Sequence, residues 1–251
     1  MKPKRPPMDE RLKALLFPRS LCLGCDEPRE IDAGAPLCDR CREELETLRL
    51  TDGICPRCLS PKPSSDPCRF CGDGKMRHIA SAYAPYRYHG VSQKLISRLK
   101  FQGIVRAAQP LYEGMLDCLA GASFDVMIPV PLYAKDLHAR GFNQSELICR
   151  HLSRATGLDY QNALIKIKKT KKQSSLGHEQ REDNVKDAYL CIYPLYKKRV
   201  LLVDDVRTTG CTARACAAEL LKAGAREVSL LTATVAANYS KSSSSSSAPA
   251  L

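Results

Sequence analysis

The run "VLLVDDVRTTGCT" (200–212) sets two adjacent carboxylates, Asp204 and Asp205, at the end of an apolar stretch and follows them with Arg207, Thr208, Thr209, Gly210, Cys211 and Thr212. Adjacent carboxylates at the carboxyl edge of a strand can accept hydrogen bonds from vicinal hydroxyls. A threonine-rich loop running into a helix N-terminus offers a phosphate dianion backbone N–H groups, hydroxyls and the helix dipole. Gly210 permits close approach of the backbone. A ribose 5-phosphate carries both the diol and the phosphate, so one ligand accounts for the whole run. Three other readings compete. A Walker-B strand needs a G-x-x-x-x-G-K-[ST] partner, and "GDGKMR" (72–77) lacks that spacing. A phospho-receiver domain ends its first strand in an acidic pair, and here too little chain follows to complete that fold. A capped strand end without a ligand leaves two carboxylates that merely repel each other.

A second constellation lies in the N-terminal third. Eight of the 13 cysteines form four C-x-x-C pairs: Cys22 and Cys25, Cys38 and Cys41, Cys55 and Cys58, Cys68 and Cys71. Each pair supplies two thiolates along one edge of a tetrahedron, and a second pair some ten residues on completes a four-coordinate zinc site. Redox dithiols or an iron–sulfur cluster are the alternatives, and the four-thiolate spacing favours zinc. Sequential pairing gives Cys22, Cys25, Cys38 and Cys41 for one ion and Cys55, Cys58, Cys68 and Cys71 for the other; a crossed partition fits the spacing too. Both Zn2+ ions are expected to be structural, because four thiolates leave no open position. Cys118, Cys149, Cys191 and Cys216 fall in apolar segments and read as buried thiols. The five histidines have no ligand spacing.

The elements that must position these groups alternate along the chain. "IASAYAPYRY" (79–88) reads as extended, interrupted at Pro85. Val91, Leu95 and Leu99 share one helical face over 91–100, and Leu111, Met115 and Leu119 are in register over 108–120. "FDVMIPVPL" (124–132) is a strand. The span 143–156 is a helix with Leu147, Ile148, Leu152 and Ala155 inward and Gly157 as its stop. A short strand at 163–169, a long loop at 170–184, the buried strand at 200–206, a helix at 212–224 and a strand at 227–236 follow. Strands alternating with helices argue for an α/β fold with a parallel sheet. The expected organisation is a basic arm (1–19), a cysteine-rich module (20–74), an α/β domain (75–237) and a Ser-rich disordered tail (238–251).

Composition limits the classes. Hydrophobic residues make up 44% of the 251, enough for a sizeable core. No apolar run approaches the ~20 residues of a membrane span, and "ALLF" is too short for a signal peptide, so a cytoplasmic protein is expected. The net charge is +12, and residues 75–237 alone carry +11, while the cysteine-rich module is acidic. Four thiolates on each zinc make that module more acidic still, so anionic partners (phosphates or nucleic acid) belong to the large domain.

"DDVRTTG" is similar to the 5-phosphoribosyl 1-pyrophosphate (PRPP) motif of type I phosphoribosyltransferases. Together with "YRYHGVSQKLISRLKFQG" (86–103), "IPVPLYAKDLHARGFNQSELI" (128–148) and "TKKQSSLGHEQREDNVKDAY" (170–189), it resembles the ComF family in order and wording over about residues 20–237. The resemblance implies a double zinc-ribbon module ahead of a type I phosphoribosyltransferase-like domain, a parallel sheet flanked by helices. It also implies a role in DNA uptake during natural transformation. Asp204 and Asp205, the candidate catalytic pair, would then hold the ribose hydroxyls directly or through Mg2+. Arg207, Thr208, Thr209, Gly210, Cys211 and Thr212 would hold the 5-phosphate, and Arg140 either meets the pyrophosphate or serves as a salt-bridge partner or loop anchor. Lys168, Lys169, Lys171, Lys172 and Gln173 could form a flap over the pyrophosphate or simply a solvated basic loop. Lys100, Phe101, Tyr86, Arg87 and Tyr88 read first as core or domain-interface residues and second as residues that touch the ligand or stack single-stranded DNA bases. Two departures stand out: Cys211 and Ala213 replace the commoner Ala and Leu of "TTGATL", and "KIKKTKKQ" replaces an opening Arg, keeping charge without bidentate geometry. Three functions follow from this pattern: a Mg2+-dependent phosphoribosyltransferase, a DNA-uptake factor that handles single-stranded DNA, or a scaffold whose zinc module docks a DNA-uptake helicase.

Overall fold

A computed structural model describes residues 20–29, 35–51, 53–61, 68, 71, 74, 76–169, 185 and 187–236. The expected basic arm, the Ser-rich tail, and Lys171, Lys172 and Gln173 with the 170–184 loop lie outside the described residues.

A parallel sheet forms the centre. Its strands are β3 (Ala82–Tyr83) and β4 (Tyr86–Arg87), β5 (Val126–Pro129), β8 (Arg199–Arg207) and β9 (Glu227–Val235). The order is β3, β9, β8, β5, and β4 also pairs with β9, so β3 and β4 are one edge strand broken at Pro85. Strand periodicity sorts the side chains. Met127, Leu201, Val203, Leu231 and Ala233 face α2 (Gly90–Phe101), α3 (Gln109–Asp117) and α5 (Gln144–Thr156). Val126, Ile128, Val200, Leu202, Val228 and Leu230 face α6 (Cys211–Lys222) and a small antiparallel hairpin, β6 (Leu164–Lys166) with β7 (Tyr189–Cys191). With both faces covered, β8 and β9 are almost wholly buried, as parallel strands usually are.

The cysteine-rich segment straddles this sheet. Its first half carries the pair β1 (Ser20–Leu21) and β2 (Pro28–Arg29), then α1 (Asp39–Thr47). Cys22, Leu37, Cys41 and Leu45 join the core on the α2 side, whereas Cys55, Cys58 and Leu59 of the second half join the core on the α6 side. Residues 48–50 pass between the two by pairing antiparallel with β4: Leu50 N donates to Pro85 O at 2.8 Å and Arg87 N to Leu48 O at 2.9 Å.

Helix ends follow local chemistry. Asn143 caps α5, its Oδ1 accepting from Ser145 N at 3.1 Å, and Gly157 closes the helix at φ 74°. The inward face of α5 differs from the expectation. Ile148 and Leu152 are buried, but Cys149 takes a core position, Leu147 is half-buried and Ala155 is exposed. Ala155 lies in the last turn of the helix, where Arg154 and Thr156 are exposed as well. Cys149 and Cys216 are buried as expected, whereas Cys118 and Cys191 are only partly so. Helix α4 (Ala134–Arg140) has no buried residue, so no apolar period announced it.

Tyr86 is a core residue. Its ring lies under the Arg49 guanidinium, 5.4 Å from the centroid, and burial pushes its hydroxyl up to about 12. A Cβ on Gly114 of α3 would lie 2.4 Å from the Tyr86 oxygen and 2.7 Å from two ring carbons. Gly114→Ala is therefore expected to destabilise the fold by about 1–3 kcal/mol through overpacking, read from urea unfolding midpoints.

Candidate functional site

The carboxyl ends of β5, β8 and β9 open into a cavity of about 560 Å³. Such crevices beyond the strand ends are where open α/β sheets bind ligands. Strand β8 carries Asp204 and Asp205 to this edge on opposite sides of its pleat. Asp204 Oδ1 accepts from Ser145 Oγ at 3.2 Å and from Asp205 N at 2.9 Å. Burial, and next the Asp205 charge, push the Asp204 carboxyl above the usual carboxylate range, with the Lys100 charge opposing. Asp205 is buried and meets the Lys100 ammonium, Oδ2 to Nζ 2.6 Å. Burial disfavours the Lys100 charge, but Asp205 outweighs it and raises the ammonium above its ordinary value.

After β8 the chain turns through Thr208 and Thr209 to Gly210, whose φ of 83° starts α6. Thr208, Gly210 and Thr212 line the cavity, as do Arg140 and Arg207. Thr209 and Cys211 do not belong to its wall; the Thr209 hydroxyl donates to the Cys211 sulfur at 3.2 Å instead. Arg207 is buried, donating to Thr208 O at 3.0 Å and reaching Ser60 Oγ at 3.5 Å. It thus ties the loop to the second half of the cysteine-rich segment. Lys168 and Lys169 are exposed, and Lys168 lies 3.9 Å from Asp187.

Several wall residues were not singled out by sequence, or were assigned elsewhere. Tyr88, Lys100 and Phe101 line the cavity, which favours the ligand-contact alternative over their first reading as core or interface residues. Each projects from the carboxyl-end side of the sheet, Lys100 and Phe101 at the end of α2. Lys166 and Tyr189, paired across the hairpin and 5.5 Å apart from ammonium to ring centroid, form another wall. Gln144 and Thr232 also line it. Both are essentially buried, and among the described residues Gln144 Nε2 and Thr232 Oγ1 have no hydrogen-bond partner. A buried donor left unsatisfied costs about 1–3 kcal/mol, so two such residues in the wall of one cavity are places where a ligand could complete the hydrogen bonding. Thr232 sits beside Asp204 in the β8–β9 register, and Gln144 precedes the serine that holds Asp204. The wall holds Lys100, Arg140, Lys166 and Arg207 against two aspartates, a net positive lining suited to an anion carrying hydroxyls.

The cysteines fall into two groups by sequence order, not crossed. The sulfurs of Cys22, Cys25, Cys38 and Cys41 lie within 4.8 Å of one another, as do those of Cys55, Cys58, Cys68 and Cys71. Contacts of 3.8 Å (Cys25–Cys38), 3.7 Å (Cys55–Cys71) and 3.4 Å (Cys58–Cys68) approximate the edges of a tetrahedron with Zn–S near ~2.3 Å. All eight thiols are free. The first group leaves no room for a side chain at Gly24, where a Cβ would lie 2.6 Å from Cys41 Sγ. Burial pushes the Cys22 thiol up, but backbone donation from Cys38, Gly24 and Cys25 outweighs it and brings it to about 6. Burial and the neighbouring sulfurs push Cys41 far up. Four thiolates this close require a cation, and the donor set fits zinc. The carboxylate pair does not fit a resident Mg2+ in the same way, since the Lys100 ammonium stands on Asp205.

The site and fold define an α/β sheet protein with a strand-end carboxylate–hydroxyl cavity, joined to two four-cysteine ribbons. Residues 12–73 match the family model described as the double zinc ribbon domain. Competence protein F of Haemophilus influenzae is 32% identical over 83% of this chain and 87% of its own. Competence protein ComFC of Bacillus subtilis is 26% identical over 81% of this chain and 90% of its own. The solved glutamine PRPP amidotransferase of B. subtilis aligns with 50% of this chain and 26% of its own, at 26% identity and a TM-score of 0.36. The chain belongs to the ComF family. Among the described residues, no helix is long and apolar enough to cross a membrane.

Proposed function

We propose that the protein binds PRPP or a related ribose 5-phosphate in this cavity and acts in DNA uptake in the cytoplasm, handling incoming single-stranded DNA. The observation that carries the ligand is the joining of Asp204 and Asp205 with the Thr208–Thr212 loop and four cationic side chains around one space of about 560 Å³. Asp204 and Asp205 accept from the ribose hydroxyls, and the loop backbone with Thr208 and Thr212 donates to the 5-phosphate. Arg140 and Lys166 face the pyrophosphate. Mg2+ accompanies the pyrophosphate of PRPP and is not bound by the carboxylates. The eight ribbon cysteines hold two structural Zn2+ ions. The role in DNA follows from the competence relatives and from the basic charge of residues 75–237.

The second reading is turnover, with PRPP donating its ribosyl group to an acceptor. It draws on the intact carboxylate pair and on Phe101, which is 73% exposed at the cavity and offers a stacking face for a base. Pyrophosphate release from PRPP in the presence of nucleobases decides for turnover; saturable binding without release decides for a ligand-binding role. For DNA, fluorescence anisotropy on a labelled single strand should give an affinity that falls steeply with added salt. An affinity unmoved by salt contradicts the electrostatic reading.

Gln144→Leu removes a buried amide whose nitrogen has no partner among the described residues. It is expected to leave unfolding midpoints within about 1 kcal/mol of wild type and to weaken ribose-phosphate binding about tenfold, the worth of one hydrogen bond to an anion. Calorimetric affinities and urea melts on the same preparation check both halves.

A further inference from the structure

One carboxylate of the pair already has a cation. Lys100, in the last turn of α2, places Nζ 2.6 Å from Asp205 Oδ2, with the two side chains 24% and 8% exposed. Both ends of this contact are fixed. Asp205 lies on β8 where it runs beside β9, two residues past the last β5 pair at Val203, and its carbonyl accepts from Thr234 Oγ1 at 3.3 Å. Helix α2 is anchored by Leu95 and Leu99, both fully buried, and its Val91 N donates to Glu44 Oε1 of the first ribbon at 3.0 Å. The ammonium is therefore built into the cavity wall.

We propose that Lys100 is the resident counter-ion of Asp205, so that the site takes a sugar phosphate without a divalent metal bridging it to the carboxylates. This rests on the ribose-phosphate reading above. A Mg2+ ion sits about 2.0–2.1 Å from its oxygen ligands and demands near-octahedral space, so on Asp205 Oδ2 it would collide with the ammonium and be repelled by it. A hydroxyl meets no such conflict. It can donate to a remaining lone pair of the carboxylate, while the ammonium has three protons and spends only part of them on Asp205. Neutralising Asp205 also removes a negative charge that would otherwise oppose a phosphate ligand.

The test uses the zinc-loaded full chain in metal-depleted buffer, with two probes: Mn2+ alone, followed by its solution EPR signal, and ribose 5-phosphate, followed by calorimetry with and without Mg2+. Wild type is expected to leave Mn2+ free and to bind ribose 5-phosphate equally, within about twofold, in both conditions. Lys100→Met should gain a Mn2+ site that the added Asp205→Asn change abolishes, and should lose about tenfold in ribose 5-phosphate affinity, partly restored by Mg2+. Lys100→Arg, which keeps the charge, should behave as wild type and covers the case in which Lys100→Met fails to fold. Mn2+ held by the wild-type carboxylates, or a tenfold gain in ribose 5-phosphate affinity on adding Mg2+, overturns the assignment. Absence of all binding to ribose 5-phosphate and PRPP defeats the ribose-phosphate reading, and the Mn2+ titration then decides the place of Lys100 by itself.

Discussion

Cys58→Ser is expected to reduce bound zinc from two ions to one and to weaken the whole α/β domain, not only the ribbon. Cys58 is fully buried, and it shares one hydrophobic cluster with Val200, Leu202 and Val228 of the central strands and with Leu220 of α6. Structural zinc supplies folding free energy on the order of 10 kcal/mol in small ribbons, and three thiolates around a partly hydrated ion retain only part of it. Loss of the metal would also free Cys55, Leu59 and Ser60 and with them the contact between Ser60 and Arg207. We expect a drop in melting temperature of roughly 10 °C or more. The matching change in the first group, Cys41→Ser, should act on the α2 side, where Cys41 joins Leu95 and Leu99. Colorimetric zinc counting with thermal melts checks both. Two retained zinc ions together with an unchanged melting temperature in Cys58→Ser would show that this cysteine is not a ligand.

Asp204→Asn is expected to abolish most ribose-phosphate binding while sparing the fold. The amide oxygen can still accept from Ser145 and from the Asp205 N–H, so the local hydrogen bonds survive. The negative charge does not, and hydrogen bonds to charged groups contribute about 1.5–3 kcal/mol each, which converts to roughly 10- to 150-fold in affinity. Burial and the adjacent Asp205 raise the Asp204 carboxyl, which means that its charge opposes folding of the free protein. A neutral side chain there should leave stability unchanged or slightly higher. Asp205→Asn differs in kind, because it strips the Lys100 ammonium of its partner in a largely buried place. Its stability should fall and should recover in the Lys100→Met, Asp205→Asn double variant, with binding lost in both. Isothermal titration with PRPP beside urea unfolding separates the two aspartates.

These outcomes draw on residues of unequal visibility in the sequence. Asp204, Asp205, Thr208, Gly210 and Thr212 were legible because one continuous strand–loop–helix passage carries them, and its composition is its chemistry. The four C-x-x-C pairs were legible as thiolate sites, although spacing alone left open which pairs combine. The pairing of Lys100 with Asp205 was not, because Lys100 comes from a helix about a hundred residues earlier. The apolar period of Val91, Leu95 and Leu99 reports which face of α2 is buried, not what its last turn reaches. Gln144 and Ser145 entered only as letters of a family motif, since α5 reads as an amphipathic helix whose first residues carry no visible duty. Thr232 lies in a strand of buried residues that also holds Ser229 and Thr234, so its hydroxyl does not single it out. The straddling of the sheet by the two ribbons was also hidden, because it depends on few apolar side chains, among them Leu37, Leu45, Leu59 and Ile79, each buried.

The central claim is that the cavity at the end of β8 is a ribose-phosphate site. The most direct test is calorimetric titration of the zinc-loaded protein with PRPP, followed by competition with ribose 5-phosphate. The account predicts saturable binding with one ligand per chain, displaced by ribose 5-phosphate and weakened at least tenfold by Asp204→Asn. No heat of binding at millimolar PRPP, or binding that Asp204→Asn leaves unchanged, would contradict it.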